Sequence, residues 1–298
     1  MKDWLDKYRD GEIERGLGLN VPWIDDHLSY KQGNFNVFAG HANVGKTYWI
    51  LWYYMLLAVR YNLKFIIYSS ENIKGVLELY LVEFYCSQKF EDVDLKDYKI
   101  AREFIKEHFD FVETDRLYQL PELMEIFANS DANCCLIDPH NSLEVPTGVN
   151  RHDYDYKMAS AIRLFCQDTE KSLNLSAHGV TEALRRVHPK GTKIGIGDDE
   201  IDISGLTIPL QAADIEGGGK WVNRCDDLYI IHRYTQHRMI WNQTHIHVRK
   251  VKVSQTGGSV TPYDEPCKFA AEPAGYFTSL GTNVMEKAKQ VNTGKLDI

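Results

Sequence analysis

The amino-acid sequence predicts an α/β protein in which a mainly parallel central sheet is flanked by helices, with antiparallel strands toward the C-terminus. Three features predict this fold. Apolar strand-like runs alternate with helical segments, residues 40–47 form the glycine-rich stretch GHANVGKT between a predicted strand and a predicted helix, and two strand-like runs follow each other late in the chain. Strands that alternate with helices are typical of a parallel sheet covered on both faces.

The alternating elements occupy the first two thirds of the chain. Strands are predicted at residues 34–39, 64–70, 109–112, 133–138 and 173–178. Helices are predicted from about residue 46, and over residues 76–88, 121–129 and 155–170, whereas the charged stretch from residue 91 to 110 has no predicted helix.

The last third of the chain changes character. Residues 227–233 and 244–251 predict two further strands, which we expect to be antiparallel. Residues 190–213 are rich in glycine, aspartate and isoleucine without clear periodicity, so a long loop is predicted there. We divide the chain into a linker or docking segment (1–20), one main domain (21–280) and a polar tail (281–298) that we expect to fray.

Composition narrows the class of protein. The 298 residues are 44% hydrophobic, enough for one large core, and the net charge of −8 argues mildly against a protein that coats nucleic acid. No apolar run is long enough to span a membrane, and the N-terminus lacks a secretory pattern. We therefore expect a soluble protein of the cytoplasm, or of the host cytoplasm if the chain is viral. The six cysteines form no CxxC pair, so neither zinc nor disulfides are expected.

The stretch from residue 40 to 47 fits the phosphate-loop pattern GxxxxGK[ST] at every fixed position. Glycines allow backbone N–H groups to surround phosphates, and the following helix directs its positive end at them. Lys46 is predicted to reach the β and γ phosphates, and Thr47 to offer its hydroxyl to Mg²⁺. The sequence thus predicts that ATP and Mg²⁺ bind here. The predicted nucleotide-binding residues of this loop are Gly40, His41, Ala42, Asn43, Val44, Gly45, Lys46 and Thr47.

Three polar residues follow predicted strands. Asp138 ends an apolar run and is predicted to hold Mg²⁺, although an aspartate there can also cap a helix or form a turn. Glu71 can activate the attacking water, or it can simply be an acid at a helix start. His178 can sense the γ-phosphate, or it can be an ordinary structural histidine.

Two basic segments are candidates for contacts with a second molecule. In residues 249–252 (RKVK), strand alternation directs Lys250 and Lys252 to one face, where they can reach a neighbour's γ-phosphate or remain solvated. Residues 214–224 combine three glycines with Lys220 and Arg224, which suits a loop on a DNA backbone or a generic glycine-rich turn.

Together these motifs resemble the helicase domain of DnaB-type replicative DNA helicases, closest to the Twinkle-like and phage primase-helicase branch, over roughly residues 15–270. Ser70-Glu71 is similar to the family's catalytic-glutamate position. Residues 137–143 are similar to an Asp-Pro-Trp-Asn-x-Leu segment with His140 replacing tryptophan. Ala177-His178 matches an Ala-His-Pro sensor in which Gly179 replaces proline. Residues 214–227, followed by Ile231-His232-Arg233, resemble the element that borders the DNA-gripping loop.

The resemblance implies a RecA-like P-loop NTPase and assigns residue roles. Glu71 and His178 would be catalytic, Asp138 and Arg233 would belong to the nucleotide site, and Lys220 would contact DNA together with Arg224. Residues 247–252 resemble the family's Lys-x-Arg pair, so Lys250 and Lys252 would reach the ATP of the adjacent subunit. Lysine at position 252 lacks the bidentate fork of arginine, and Arg249 is the alternative.

The implied function is an ATP-hydrolysing DNA helicase that translocates on single-stranded DNA as a homo-oligomeric ring, expected to be a hexamer, with a separate primase or loader as a further candidate partner. Priming activity itself is not implied. A RecA-like recombinase or strand-annealing ATPase that forms filaments is the alternative. A non-motor ATPase of the circadian-clock type is a third class, against which the DNA-loop element counts.

Overall fold

The computed structural model describes residues 3–195 and 200–292. The strands are β1 Phe35–Gly40, β2 Phe65–Ser69, β3 Phe109–Phe111, β4 Cys134–Asp138, β5 Ser172–His178, β6 Lys193–Ile194, β7 Ile201–Asp202, β8 Asp227–His232, β9 Gln243–Val251, β10 Cys267–Glu272, β11 Tyr276–Ser279 and β12 Thr282–Asn283. The helices are α1 Trp4–Arg9, α2 Pro22–Asp25, α3 Lys46–Tyr61, α4 Lys74–Cys86, α5 Leu95–His108, α6 Leu120–Asn129, α7 Arg151–Thr169, α8 Gly219–Arg224 and α9 Val284–Asn292. Within these ranges, no helix is long and apolar enough to cross a membrane.

A ten-stranded sheet, ordered β12-β11-β10-β9-β8-β1-β5-β4-β2-β3, organises the described part of the chain. The strands from β8 to β3 in this order are parallel to their neighbours, and β9 to β12 extend the sheet as antiparallel strands. This confirms the predicted α/β fold with its antiparallel C-terminal strands. Gly40 is paired with His178, and Ser69 with Asp138. The carboxyl ends of β1, β5, β2 and β4 therefore meet at one edge, where ligands of such sheets bind.

Helices cover both faces of the sheet and create two apolar layers. On one face α3 lies against the sheet together with α4, α5 and α9, and Trp49, Trp52 and Phe269 are among its fully buried side chains. On the other face α6, α7 and α8 enclose a second cluster that includes Phe127 and Trp221. Because both faces are covered, the central strands are buried along nearly their whole length, and buried residues do not alternate with exposed ones.

The charged stretch between residues 91 and 110 contains a helix that the sequence reading missed. Helix α5 starts where the Asp94 side chain accepts a hydrogen bond from the Asp97 backbone N–H at 2.8 Å. Its buried residues are Ala101, Ile105 and His108, a narrow stripe on an otherwise polar helix. Few apolar residues are needed because α5 packs on α4 at the rim of the core. The stretch is therefore polar on average although its apolar residues recur at helical spacing, and its high charge content hid the helix.

The prediction that the segment after Gly281 frays is wrong for residues 284–292. These residues form α9, and Val284, Met285 and Ala288 are buried against α3 in the first apolar layer. The predicted loop from residue 190 to 213 contains β6 and β7, which pair antiparallel, whereas residues 196–199 lie outside the described ranges. Residues 293–298 of the predicted tail also lie outside them.

A group of buried histidines lies on one face of the β8–β9 pair. His232 is paired with His245 across the two strands, and His247 follows on the same side of β9. The chain segment around His188 folds over them, and His188 Nε2 lies 3.0 Å from the Tyr234 hydroxyl. Burial lowers the pKa of all four imidazoles, and that of His245 falls to about 3. The folded protein thus keeps these rings neutral.

Because these histidines are buried in their neutral form, we expect the folded protein to lose stability in acid. Between the usual imidazole pKa of about 6.5 and the lowered folded value, the unfolded chain binds more protons than the folded one. The free energy of unfolding should therefore decrease as the pH falls below about 6.5, by up to about 1.4 kcal/mol per pH unit for each such histidine. Denaturant unfolding between pH 8 and 5 measures the slope. His245→Gln should flatten it, and the same change at His237, outside this group, should not. Equal slopes in all three proteins would contradict the assignment.

Candidate active site

The phosphate-loop sequence forms a tight turn between β1 and α3. Asn43 and Gly45 have positive φ angles of 60° and 81°, and α3 begins at Lys46 directly after Gly45. Gly40 has no room for a side chain, since a Cβ there would lie 2.5 Å from the Ile231 carbonyl oxygen. The turn directs the amino end of the long, buried α3 toward the loop, which is the arrangement that binds phosphate in other proteins.

Lys46 extends back along the loop and is only 7% exposed. Its Nζ donates to the His41 carbonyl oxygen at 3.1 Å and lies 3.1 Å from His178 Nδ1. Because an ammonium group can only donate, Nδ1 of His178 accepts this bond, and in the neutral ring Nε2 then carries the proton. Burial lowers the pKa of Lys46, whereas the nearby carboxylates Asp138 and Glu71 oppose that shift.

Thr47 and Asp138 provide adjacent oxygen atoms at the same edge. The Thr47 hydroxyl donates to Asp138 Oδ2 at 2.7 Å, and Asp138 is 2% exposed at the end of β4. A hydroxyl beside a carboxylate is a donor set that suits Mg²⁺, which prefers oxygen ligands and keeps several of its waters. Within residues 3–195 and 200–292, no cluster of three histidine, cysteine or acidic ligands is present. Such a cluster is not needed where phosphates and water complete the coordination.

Glu71 and His178 face each other across the same edge. His178 Nε2 lies 3.7 Å from Glu71 Oε1, and the side chains are 22% and 56% exposed. Burial, and then the charge of Lys46, lower the pKa of His178. A neutral His178 accepts a hydrogen bond from Lys46, and its Nε2–H lies near the exposed Glu71 carboxylate without being hydrogen-bonded to it.

The other residues predicted to bind the nucleotide are in the phosphate loop and just after β8. Val44 and His41 are buried, and His41 Nε2 lies 3.2 Å from the Ile208 carbonyl oxygen. Ala42 and Asn43 are exposed at the tip of the loop. Arg233 follows β8, and its Nη1 lies 3.2 Å from where a Cβ of Gly45 would be. The structure thus brings together all the predicted nucleotide-site residues, including Arg233.

Lys250 and Lys252 lie at the opposite edge of the sheet. Lys250 is paired with Leu228 near the start of β8, roughly 15 Å along the strand from the loop edge. Its Nζ donates to the Val222 and Cys225 carbonyl oxygens at 2.5 and 2.6 Å, and so stabilises the end of α8. Lys252 Nζ lies 3.5 Å from Asp226 Oδ1 and remains 42% exposed. Neither amine can reach the phosphate loop of its own chain.

Arg249 occupies an irregular position between these lysines. The pairing of β8 with β9 shifts register so that Leu228 opposes Lys250 while Tyr229 opposes Val248, which leaves Arg249 as the bulged residue. Its guanidinium lies 3.0 Å from His247 Nδ1 and 5.3 Å from the Tyr263 ring centroid. Arg249 therefore contacts His247, on the same face of the sheet as the other histidines.

The predicted DNA-contacting residues lie on α8. Lys220 is 11% exposed at its side chain and lies 3.8 Å from Asp155 on α7. Arg224 stacks on the Tyr156 ring and donates to the Tyr156 hydroxyl. Both cations thus contact α7, and their role in binding DNA stays a prediction.

The sequence did not predict that the end of β5 is hydrogen-bonded to residues 214–216, in the glycine segment (residues 214–219) that leads into α8. Val180 N–H donates to the Asp214 carbonyl oxygen at 2.7 Å, and Glu216 N–H donates to the His178 carbonyl oxygen at 2.8 Å. Gly179 also leaves room for the Leu210 side chain, because a Cβ there would lie 2.5 Å from Leu210 Cδ2. The replacement of proline by glycine at position 179 was the one sequence signal of this close packing.

Gly40→Ala should destabilise the fold, because the added methyl group meets the backbone carbonyl of Ile231 rather than a side chain that can move. Overpacking of this kind costs about 1–3 kcal/mol. Gly75→Ala is the control: it lies in α4 with open space around it, and alanine there should stabilise the helix by about 0.5–1 kcal/mol. Denaturant unfolding of both variants measures the difference. Equal stabilities would contradict the close approach of β1 to β8.

Comparison with known proteins identifies the fold. No protein-family model and no curated protein matches the sequence. Among solved structures, the "ATPase Domain of G40P" superposes with a TM-score of 0.69 at 13% identity, over 93% of this chain and 95% of that one. "The Structure Of A DnaB-Like Replicative Helicase And Its Interactions With Primase" superposes with a TM-score of 0.69 at 14% identity, over 93% of this chain.

The chain spans 65% of the second of these proteins and nearly the whole of the first. The superpositions establish the fold. At sequence identities this low they do not establish the activity, which must be argued from the site. The chain has the RecA-like fold found in the ATPase domains of DnaB-like helicases.

Proposed function

We propose that this chain is the ATP-hydrolysing motor of a DNA helicase that assembles as a ring, expected to be hexameric, and translocates on single-stranded DNA. The observation that carries the proposal is the convergence of Lys46, Thr47, Asp138, Glu71 and His178 at one edge of the sheet. This set contains groups that can bind phosphate, hold Mg²⁺ and activate the attacking water. Solved structures described as a helicase and as an ATPase domain share the fold.

Each side chain has a distinct task in this proposal. Lys46 would neutralise the β and γ phosphates, since its buried charge is hydrogen-bonded to neutral atoms and can attract an anion. Thr47 and Asp138 would hold Mg²⁺, which supplies charge neutralisation when bound. The exposed Glu71 carboxylate would accept the proton of the attacking water. His178 would respond to the γ-phosphate, because a phosphate near Lys46 competes for the bond that Lys46 now makes to it.

Assembly would complete the site. Lys250 and Lys252 lie at the far edge of the sheet, so any contact with ATP must be to the nucleotide of a neighbouring subunit. Lys252 is the better candidate, because its amine is partly exposed whereas that of Lys250 already bonds two carbonyls. A cation donated across an interface would make hydrolysis depend on the ring.

The DNA side of the proposal rests on the glycine segment before α8. Its backbone is hydrogen-bonded to that of His178 and Val180, so a change at the phosphate edge can move this segment and the helix after it. Arg224, and Lys220 if released from Asp155, would then contact DNA phosphates. A separate primase or loader is a further candidate partner, since a structural neighbour is described with its primase interactions.

Glu71→Gln should leave ATP binding intact and slow hydrolysis at least about a hundredfold, because the amide cannot take a proton from water. Steady-state phosphate release and equilibrium binding of a fluorescent ATP analogue measure the two effects. Glu113→Gln is the matched control, since Glu113 is an exposed acid that follows the neighbouring strand β3 at the same edge. It should hydrolyse ATP normally.

Normal turnover by the Glu71 variant would place the base elsewhere. Lys46→Ala provides the second check, because loss of the loop cation should abolish hydrolysis while the protein stays folded. Rapid turnover by that variant would contradict the whole nucleotide-site proposal.

A mixing experiment tests the role of Lys252 across the interface. Pure Lys252→Ala and pure Lys46→Ala proteins should each be nearly inactive, because every interface lacks one component. Mixed rings should regain activity, since some interfaces then combine an intact phosphate loop with an intact lysine from the neighbour. Phosphate release by the mixture measures recovery, and labelled subunits verify exchange. Confirmed exchange without recovery would assign the trans role to another residue, with Arg249 as the next candidate.

A further inference from the structure

Helix α8 carries Arg224 as its last residue and is too short to hold that residue in place by itself. It has six residues, which is less than two turns, and a helix of this length is unstable unless other parts of the protein contact it. The glycines at residues 217–219 restrain the backbone before it only weakly. The position of Arg224 therefore depends on contacts that reach α8 from elsewhere.

Trp221 fixes the middle of α8. Its ring is fully buried, and its Nε1–H donates to the Glu216 carbonyl oxygen at 2.9 Å. The same ring meets His140 edge-on, with centroids 5.2 Å apart. Trp221 lies almost one turn before Arg224, so this anchor leaves the last turn of the helix to be fixed by other residues.

Lys250 of β9 holds the C-terminal end of α8. The last carbonyls of a helix have no partner within it, and lysine is one of the residues that bind them. Lys250 Nζ donates to the carbonyl oxygens of Val222 and Cys225, at 2.5 and 2.6 Å. These two carbonyls bracket Arg224 in the sequence. Arg163 of α7 adds a longer contact, with Nη1 3.5 Å from the Arg224 carbonyl oxygen.

The contacts with α8 occupy the amine of Lys250. An ammonium group has three N–H donors, and two main-chain oxygens already accept from it. A phosphate of a neighbouring subunit could bind this amine only in place of the end of α8. Lys252 differs, because its exposed amine lies 3.5 Å from a single carboxylate oxygen, that of Asp226. The two lysines of this strand are therefore suited to different tasks.

The side chain of Arg224 follows the last turn of α8. Its guanidinium lies over the Tyr156 ring at 4.7 Å and donates to the Tyr156 hydroxyl. A guanidinium has five N–H donors, so this contact leaves donors for a phosphate. A shift of the last turn would carry the guanidinium off the ring and change where those donors lie.

We propose that Lys250 is a positioning residue for DNA binding: it holds the last turn of α8 and so places the Arg224 guanidinium where it can bind a phosphate of single-stranded DNA. The inference rests on the DNA-binding part of the proposed function. A lysine that acts through Arg224 should lose its influence on DNA once Arg224 is removed. A lysine that touches DNA or a neighbour's ATP should keep it.

The test is a double-mutant cycle in the full chain, with Mg²⁺ and a non-hydrolysable ATP analogue. Binding of a fluorescent oligodeoxythymidylate is titrated at several salt concentrations. Lys250→Met removes the donors and should weaken binding about tenfold, the effect of one lost hydrogen bond to a charged group. It should also reduce the slope of log affinity against log salt by about 0.7. In an Arg224→Ala chain the same substitution should have no further effect.

Two substitutions separate the contact with α8 from a general effect of charge. Lys250→Arg retains donors for the two carbonyls and should retain binding. Lys268→Met removes an exposed lysine from the adjacent strand β10 and should bind normally. Thermal unfolding shows whether each variant is folded. Lys250→Gln, which is too short to reach both carbonyls, replaces Lys250→Met if the latter does not fold.

Hydrogen exchange reports on α8 without DNA. The Cys225 N–H donates to the Trp221 carbonyl oxygen at 2.8 Å and is protected only while the last turn is formed. Its exchange should be about tenfold faster in Lys250→Met, and unchanged in Lys268→Met.

The inference is overturned if exchange at Cys225 or DNA affinity is the same in folded Lys250→Met as in the unchanged chain. It is also overturned if the effects of Lys250→Met and Arg224→Ala multiply, because Lys250 would then act on DNA or ATP directly. Failure of the proposed DNA binding is seen separately: the unchanged chain would not bind the oligonucleotide at all, and the inference would fail with it.

Discussion

The burial of the Lys46 charge is the constraint on which the rest of this structure depends. The ammonium is 7% exposed and hydrogen-bonded to a carbonyl and an imidazole, both neutral. A buried charge is costly unless anions lie nearby. Asp138 and Glu71 supply them, from the carboxyl ends of β4 and β2, which finish at the same edge of the sheet as β1. The strand order therefore places the carboxylates where the lysine requires them, and a phosphate would add the missing anionic contact.

The sheet also separates two tasks in space. Its carboxyl edge holds the nucleotide-site residues, whereas Lys250 and Lys252 lie where β9 ends at the other edge. Antiparallel β9 makes this unavoidable, because a strand that begins beside the loop edge must end far from it. Lys250 and Lys252 therefore lie too far from the phosphate loop of their own chain to contact a nucleotide bound there.

The histidine side of β8 and β9 has a different character. Neutral rings are buried there at a cost in acid, and His247 keeps an unused donor. Features of this kind reduce stability without helping to pack the core, and such local conflicts are expected at functional sites. The group also adjoins the phosphate edge, since the His41 and His232 rings lie 6.1 Å apart.

The sequence by itself determined the parallel sheet, the phosphate loop and the acids at strand ends, because each depends on local pattern: apolar runs, glycine spacing and the residue that follows a strand. It missed α5 and the packing of α9. The apolar faces of these two helices are short, and they are buried only because α5 packs on α4 and α9 packs on α3. It also left open how Lys250, Lys252, Lys220 and Arg224 are used. Tertiary structure decided their surroundings, since strand direction, the bulge at Arg249 and the packing of α8 on α7 determine which atoms a long cationic side chain can reach.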